Sequence, residues 1–104
     1  MDGKLIKRLI ELNKKDCLWI YILKILSKKP LHAYSIRKAI KDEFGFLSGN
    51  VTAYRVLYYL MSQGYVKKNT EGRRKVYSIT EGGLEELGKA IDFYKKRVEI
   101  LKND

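Results

Sequence analysis

The stretch Asn50–Thr80, NVTAYRVLYYLMSQGYVKKNTEGRRKVYSIT, carries the pattern that decides the fold. Its first half places Ala53, Leu57 and Leu60 at helical spacing, widened by Val56 and Met61, and turns Thr52, Arg55, Tyr59 and Ser62 outward. Asn50 is the expected cap of this helix, and Gly64 marks its end. Two strand-like runs follow, Tyr65–Lys68 and Lys75–Ile79, joined by a turn over Asn69–Arg74 and closed by Thr80, a cap for the next helix. Between Lys67 and Lys75 stand five cations, Lys67, Lys68, Arg73, Arg74 and Lys75, against the single acid Glu71. A helix able to enter a major groove beside a cation-tipped hairpin is the layout of a winged helix-turn-helix, so the expected fold is mainly α with a small β-hairpin. The expected partner is double-stranded DNA. The same hairpin cations also serve simply to guard an edge strand from aggregation.

Composition agrees with a polyanion partner. The chain has 104 residues, 45% of them hydrophobic, and a net charge of +10 with a pI near 9.7. That is room for one domain, and nucleic acid is the natural counterpart of such a charge. Lys-rich surfaces also serve solubility and ion-pair networks in thermophile proteins. Cys17 and His32 are single residues of their kind, so an intrachain disulfide, a thiolate cluster and a zinc-spacing motif are all excluded. Neither a carboxylate pair nor a nucleophile–base pair is visible, and an enzyme, a metal or a cofactor is not expected. No run of 18 apolar residues and no signal-peptide core occur, which leads to the expectation of a cytoplasmic protein without a membrane partner.

Upstream, Leu5, Ile6, Leu9, Ile10 and Leu12 make one face of an amphipathic N-terminal helix. A break near Asn13–Asp16 should separate it from a core helix bearing Leu18, Trp19, Ile22, Leu23 and Leu26, which Pro30 ends. Cys17, in this apolar run, reads as a buried small hydrophobe. A third helix from about His32 should turn Ile36, Ala39 and Ile40 inward and Arg37, Lys38 and Lys41 outward, with Phe44–Gly49 as the turn before the recognition helix. Downstream, Leu84, Leu87, Ile91, Tyr94, Val98 and Leu101 alternate steps of three and four residues, the seam of a helix that pairs with another. Phe93 and Ile100 add a second stripe. The expectation is a homodimer interface made by these positions together with Leu5 and Leu9 of the N-terminal helix; the alternative is a long helix packed on its own domain. Residues 1–82 then form the DNA-binding part with its N-terminal helix and residues 83–104 the dimerisation helix, one structural unit.

From about Asp16 to Leu87 the chain resembles the PadR-like transcriptional regulators. The resemblance rests on Leu31-His32-Ala33-Tyr34-Ser35-Ile36, on Thr52, Ala53, Tyr54, Leu57, Leu60, Gly64, Tyr65 and Val66, and on the wing residues Arg73, Arg74, Lys75, Tyr77, Ile79, Thr80 and Gly83. Ala33 stands where the family usually has Gly, and Gly49-Asn50-Val51 where it has Pro-Gly. The resemblance implies a homodimeric winged-helix repressor on palindromic promoter DNA, with Tyr34 and Tyr54 at the DNA backbone, Thr52 at the start of the recognition helix and Arg73 and Arg74 at the wing tip. It also implies a small apolar or aromatic effector at the dimer interface, for which Trp19, Phe93 and Tyr94 are candidate lining residues; as aromatics at helical spacing they equally suit a core. The expected DNA-contacting set is Tyr34, Ser35, Asn50, Thr52, Tyr54, Arg55, Tyr58, Lys67, Lys68, Arg73, Arg74 and Lys75. Because Arg55 is the lone cation on the recognition helix, a weakly specific structural chromatin protein is the alternative, followed by a winged helix that binds an acidic protein.

Overall fold

The computed structural model describes residues 3–103. Five helices, α1 (Lys4–Asp16), α2 (Leu18–Lys28), α3 (Ala33–Phe44), α4 (Asn50–Ser62) and α5 (Glu81–Lys102), surround three strands, β1 (Leu31–His32), β2 (Val66–Glu71) and β3 (Arg74–Ile79). The strands form one antiparallel sheet in the order β1-β3-β2. This is the mainly helical, winged architecture that the alternating helix and hairpin patterns predict.

Helix α2 is the hub. Leu18, Ile22, Leu23, Ile25 and Leu26 are all buried on it, a span of apolar positions wide enough to meet neighbours on several sides. They pack against Ile36 and Ile40 of α3, Leu57 and Leu60 of α4, Val66 and Tyr77 of the sheet, and Leu87 of α5. Each such side chain contributes about 1.5–3 kcal/mol when fully withdrawn from water. The recognition helix and the wing are therefore fixed to one shared core.

Several boundaries differ from the sequence expectation. The break between α1 and α2 falls at Cys17 (φ −108°, ψ 19°), after Asn13–Asp16 rather than within it. Asn13 does not recap the chain, because its side-chain amide donates to the Leu9 carbonyl one turn back, at 3.0 Å. Asn50 is the first residue of α4 and not its cap; Gly49 occupies the cap with an extended backbone. The wing strands are longer than predicted. Asn69 pairs with Val76, Thr70 with Lys75 and Glu71 with Arg74, which leaves only Gly72 and Arg73 in the loop. Gly72 has φ 61°, and positive φ at the first loop position is what a tight two-residue hairpin of the II′ kind requires. Strand β1 was not foreseen, since two residues offer no alternation to read; it pairs Leu31 with Tyr77 and His32 with Val76.

The start of α5 is locked to the end of α4. The Thr80 hydroxyl accepts from the Gly83 amide at 3.1 Å and donates to the Gly64 carbonyl at 2.6 Å, while the Thr80 amide donates to the Tyr65 carbonyl at 3.1 Å. This anchoring turns Leu87 into the chain's own core, where it is 7% exposed. Leu87 therefore leaves the proposed partner-facing seam, because the first two turns of α5 lie on α2 and the sheet. No described helix is long and apolar enough to cross a membrane.

Candidate nucleic-acid interface

Six of the expected DNA-contacting residues converge on one groove. Tyr34, Tyr54, Tyr58, Arg73, Arg74 and Lys75, with His32, Ala33 and Tyr77, line a space of about 480 Å³ between the start of α3, the outer side of α4 and the wing tip. The sequence separates these residues into three segments; the sheet joins them. Pairing of β1 with β3 brings the start of α3 beside the wing, and His32 Nδ1 lies 3.2 Å from the Lys75 carbonyl oxygen. A carbonyl only accepts, so the ring must carry a proton on Nδ1 for this bond. His32 also stacks on Tyr34, with centroids 5.8 Å apart and planes 4° from parallel. Across the groove, Tyr54 and Tyr58 lie one helical turn apart and stack at 6.1 Å.

Charge at this surface is uncompensated. The ion pairs between described residues are Lys14–Glu11, Lys28–Glu43 and Lys89–Glu86, none of them in the wing. Glu71 faces Arg74 across the hairpin, yet the two form no salt bridge. Arg73, Arg74 and Lys75 are exposed, as is Arg55 on α4. Cations without internal partners are free to replace the counterions of a phosphate backbone.

The other expected contacts lie outside this groove. Lys67 and Lys68 are exposed on β2, opposite Ser78 and Tyr77 of β3, well back from the wing tip. Asn50 and Thr52 are exposed in the first turn of α4, and Thr52 borders a separate hollow with Lys14, Lys15 and Ser48. Ser35 also lies outside the groove. It is half-buried and opens on another hollow with Ile25, Lys28 and Lys38, because one residue along a helix is about 100° around its axis from Tyr34.

Two further residues shape the site without having been singled out for it. Arg37, expected to point outward, is half-buried and donates through Nε and Nη2 to the Ser48 carbonyl at 3.0 and 2.7 Å. It thereby fixes the turn that launches α4. Tyr77 lines the groove although it is only 3% exposed. Burial, and then the neighbouring Tyr58 and Tyr54, push its phenol above the ordinary tyrosine range, so it remains protonated.

A second region joins the ends of the chain. Helix α1 has no buried residue, and its apolar face is open, with Leu5 84% exposed. Every residue of α5 from Ile91 onward is exposed as well. Where α5 passes the α1–α2 junction, Trp19, Phe93 and Tyr94 do come together, around a largely apolar cavity of about 470 Å³ that also meets Asn13, Cys17 and Lys89. The Tyr94 hydroxyl donates to Asn13 Oδ1 at 3.1 Å, and burial first, then Cys17 and Tyr21, push its pKa up to about 12. The group is a neutral donor throughout the physiological range.

Comparison with known proteins fits this geometry. A family model described as "Transcriptional regulator PadR-like family" matches residues 22–89. Among solved structures, a PadR family transcription regulator from hypervirulent Clostridium difficile is 25% identical, with a TM-score of 0.71 over 80% of this chain and 92% of that one. A transcriptional regulator from Clostridium thermocellum shares the fold at 21% identity, with a TM-score of 0.77 over 88% and 94% of the two chains. F93 from STIV, a winged-helix DNA-binding protein, shares it at 24% identity, with a TM-score of 0.72 over 79% and 91%. No curated protein matches the chain in sequence.

Proposed function

This chain belongs to the PadR-like family of transcriptional regulators and is a DNA-binding regulator of transcription, and from that premise we propose that it is a homodimeric, sequence-specific repressor acting in the cytoplasm. The family is one of transcription regulators and not of enzymes; we assign the chain no catalytic role. The observation that carries the reading is the groove in which the unpaired wing cations face the tyrosines of α4. In this reading α4 enters the major groove of one half-site, with Arg55, Thr52 and Asn50 toward the bases. The wing grips the backbone through Arg73, Arg74 and Lys75, with Lys67 and Lys68 adding charge behind them. A second copy covers the open faces of α1 and α5 and sets the spacing of the two half-sites.

Mutation separates positioning from base reading. Arg73→Ala and Arg74→Ala are each expected to weaken binding to all sequences alike and to lower the salt slope by about one counterion. Arg55→Ala should instead narrow the gap between operator and unrelated DNA, a pair of affinities measured side by side. Unchanged salt slopes in both wing variants would remove the wing from the interface. Because Arg55 is the lone cation on α4, the weakly specific chromatin reading predicts a footprint that spreads along unrelated DNA. One protected palindrome excludes it.

The cavity at Trp19, Phe93 and Tyr94 supports an effector that is small and apolar or aromatic. Its volume falls in the ordinary range for small-molecule sites. Such a ligand acts only by favouring one arrangement of the two α4 helices over another. DNA affinity that stays constant across a panel of aromatic compounds would dismiss it.

A further inference from the structure

Tyr77 looks like a core residue and has one feature that a core residue should lack. It is 3% exposed, yet its hydroxyl has no hydrogen-bond partner among the described residues. Among the described residues, the sealed and unpartnered side-chain oxygens are those of Ser48 and Ser78; the Tyr77 hydroxyl reaches the groove between wing and α4 instead. The ring is held in the core while its hydroxyl opens on the groove, a donor left available to an incoming acceptor. Besides Tyr54 and Tyr58 of α4, two sides of the groove are anion-seeking. Arg73, Arg74 and Lys75 form the rim. The N-terminus of α3 opens on the same groove through Ala33 and Tyr34. Its cap residue His32 makes no side-chain bond to the first turn, since the ring is turned to the Lys75 carbonyl. The amide groups of that turn, and the positive end of a twelve-residue helix, are left for a ligand.

We propose that this groove seats one phosphodiester of the DNA backbone at the start of α3, with the Tyr77 hydroxyl donating a hydrogen bond to it from the floor and Arg73 and Arg74 holding it from the rim. The inference rests on the reading above that the groove faces DNA. It adds to that reading a neutral donor whose contribution carries no counterion. Burial keeps the phenol protonated, so the donor persists across the physiological pH range.

Tyr77→Phe, measured beside Arg73→Ala on the same duplexes, tests it. The expected result is binding about tenfold weaker on operator and unrelated DNA alike, the loss of one hydrogen bond to a charged acceptor. The salt slope should stay at the parent value, whereas Arg73→Ala lowers it. A Tyr77→Phe affinity within twofold of the parent, with Arg73→Ala still impaired, overturns the inference and leaves the docking intact. If both variants bind like the parent, the docking itself is wrong. Scanning the duplex with single methylphosphonates against the unmodified protein gives an answer that does not depend on the variant folding. One neutralised phosphate per half-site should stand out, and a flat profile also overturns the inference.

Discussion

Gly83→Ala is expected to destabilise the protein by roughly 2–4 kcal/mol, which for a domain of this size lowers the melting temperature by on the order of 15 °C. A Cβ built at Gly83 meets the Tyr65 carbonyl oxygen at 2.2 Å and Ile79 Cγ1 at 2.6 Å. The carbonyl is backbone, and it already accepts the Thr80 amide. The carbonyl cannot move without breaking the lock between the end of α4 and the start of α5, and the Ile79 side chain would have to give way as well. Alanine ordinarily gains about 1 kcal/mol over glycine inside a helix, so the expected sign is opposite to that of propensity. The neighbouring glycines supply the control. At Gly82 the nearest atoms are 3.6–3.7 Å away, and at Gly88 nothing lies within 4 Å. Gly88→Ala should therefore raise the melting temperature while Gly83→Ala lowers it. Thermal denaturation of the two variants decides the matter, and a Gly83→Ala protein as stable as the parent would mean that α5 does not rest on Tyr65 in this way. Because Tyr65 leads into β2, the same change should also misplace the wing and weaken DNA binding.

Gly83 also illustrates what a sequence reveals and what it hides. Its place after Tyr77, Ile79 and Thr80 was legible as part of a wing pattern, but the reason for it lies in a carbonyl eighteen positions earlier in the chain. Helix α4 and the hairpin were legible because each is local. Apolar spacing reports the inward face of a helix, and Gly64 and Thr80 punctuate it. Strand β1 was not legible, since Leu31 and His32 become a strand only by pairing with Tyr77 and Val76. Leu87 fits a heptad as well as Ile91 does, and nothing in the spacing says that one partner is α2 and the other solvent.

The candidate site was legible residue by residue and not as a shape. Tyr34, Tyr54 and the wing cations were each identifiable, but their convergence depends on the two-residue pairing of β1 with β3. Tyr77 escaped because periodicity tells which side of a strand is buried, and cannot tell whether the polar end of a buried ring emerges elsewhere. Arg37 escaped for a related reason: a cation at an outward helical position reads as solvated unless a carbonyl such as that of Ser48 is known to lie within reach.

The proposed dimer yields the other large effect. Ile91→Glu combined with Val98→Glu should convert a dimer into a monomer by sedimentation and lower affinity for a palindrome by about a hundredfold or more. A single half-site loses the effective concentration supplied by its tethered twin. Two carboxylates brought into an apolar seam without partners cost several kcal/mol each time the interface forms. In the lone chain Ile91 and Val98 are 42% and 49% exposed, so the variant has little reason to unfold its own core. Helix α1, which buries nothing of its own, should fray with the loss of the partner, and the helical signal in circular dichroism should fall. Since Leu87 faces inward, the seam from Ile91 to Leu101 is short for a two-stranded coil; Leu5 and Leu9 of α1 must supply the rest of the covered face. Lys96→Glu, half a turn away on the same helix, serves as the charge control and should leave the dimer intact. A double variant that sediments like the parent would refute the seam, and the apolar faces of α1 and α5 would then need a different occupant.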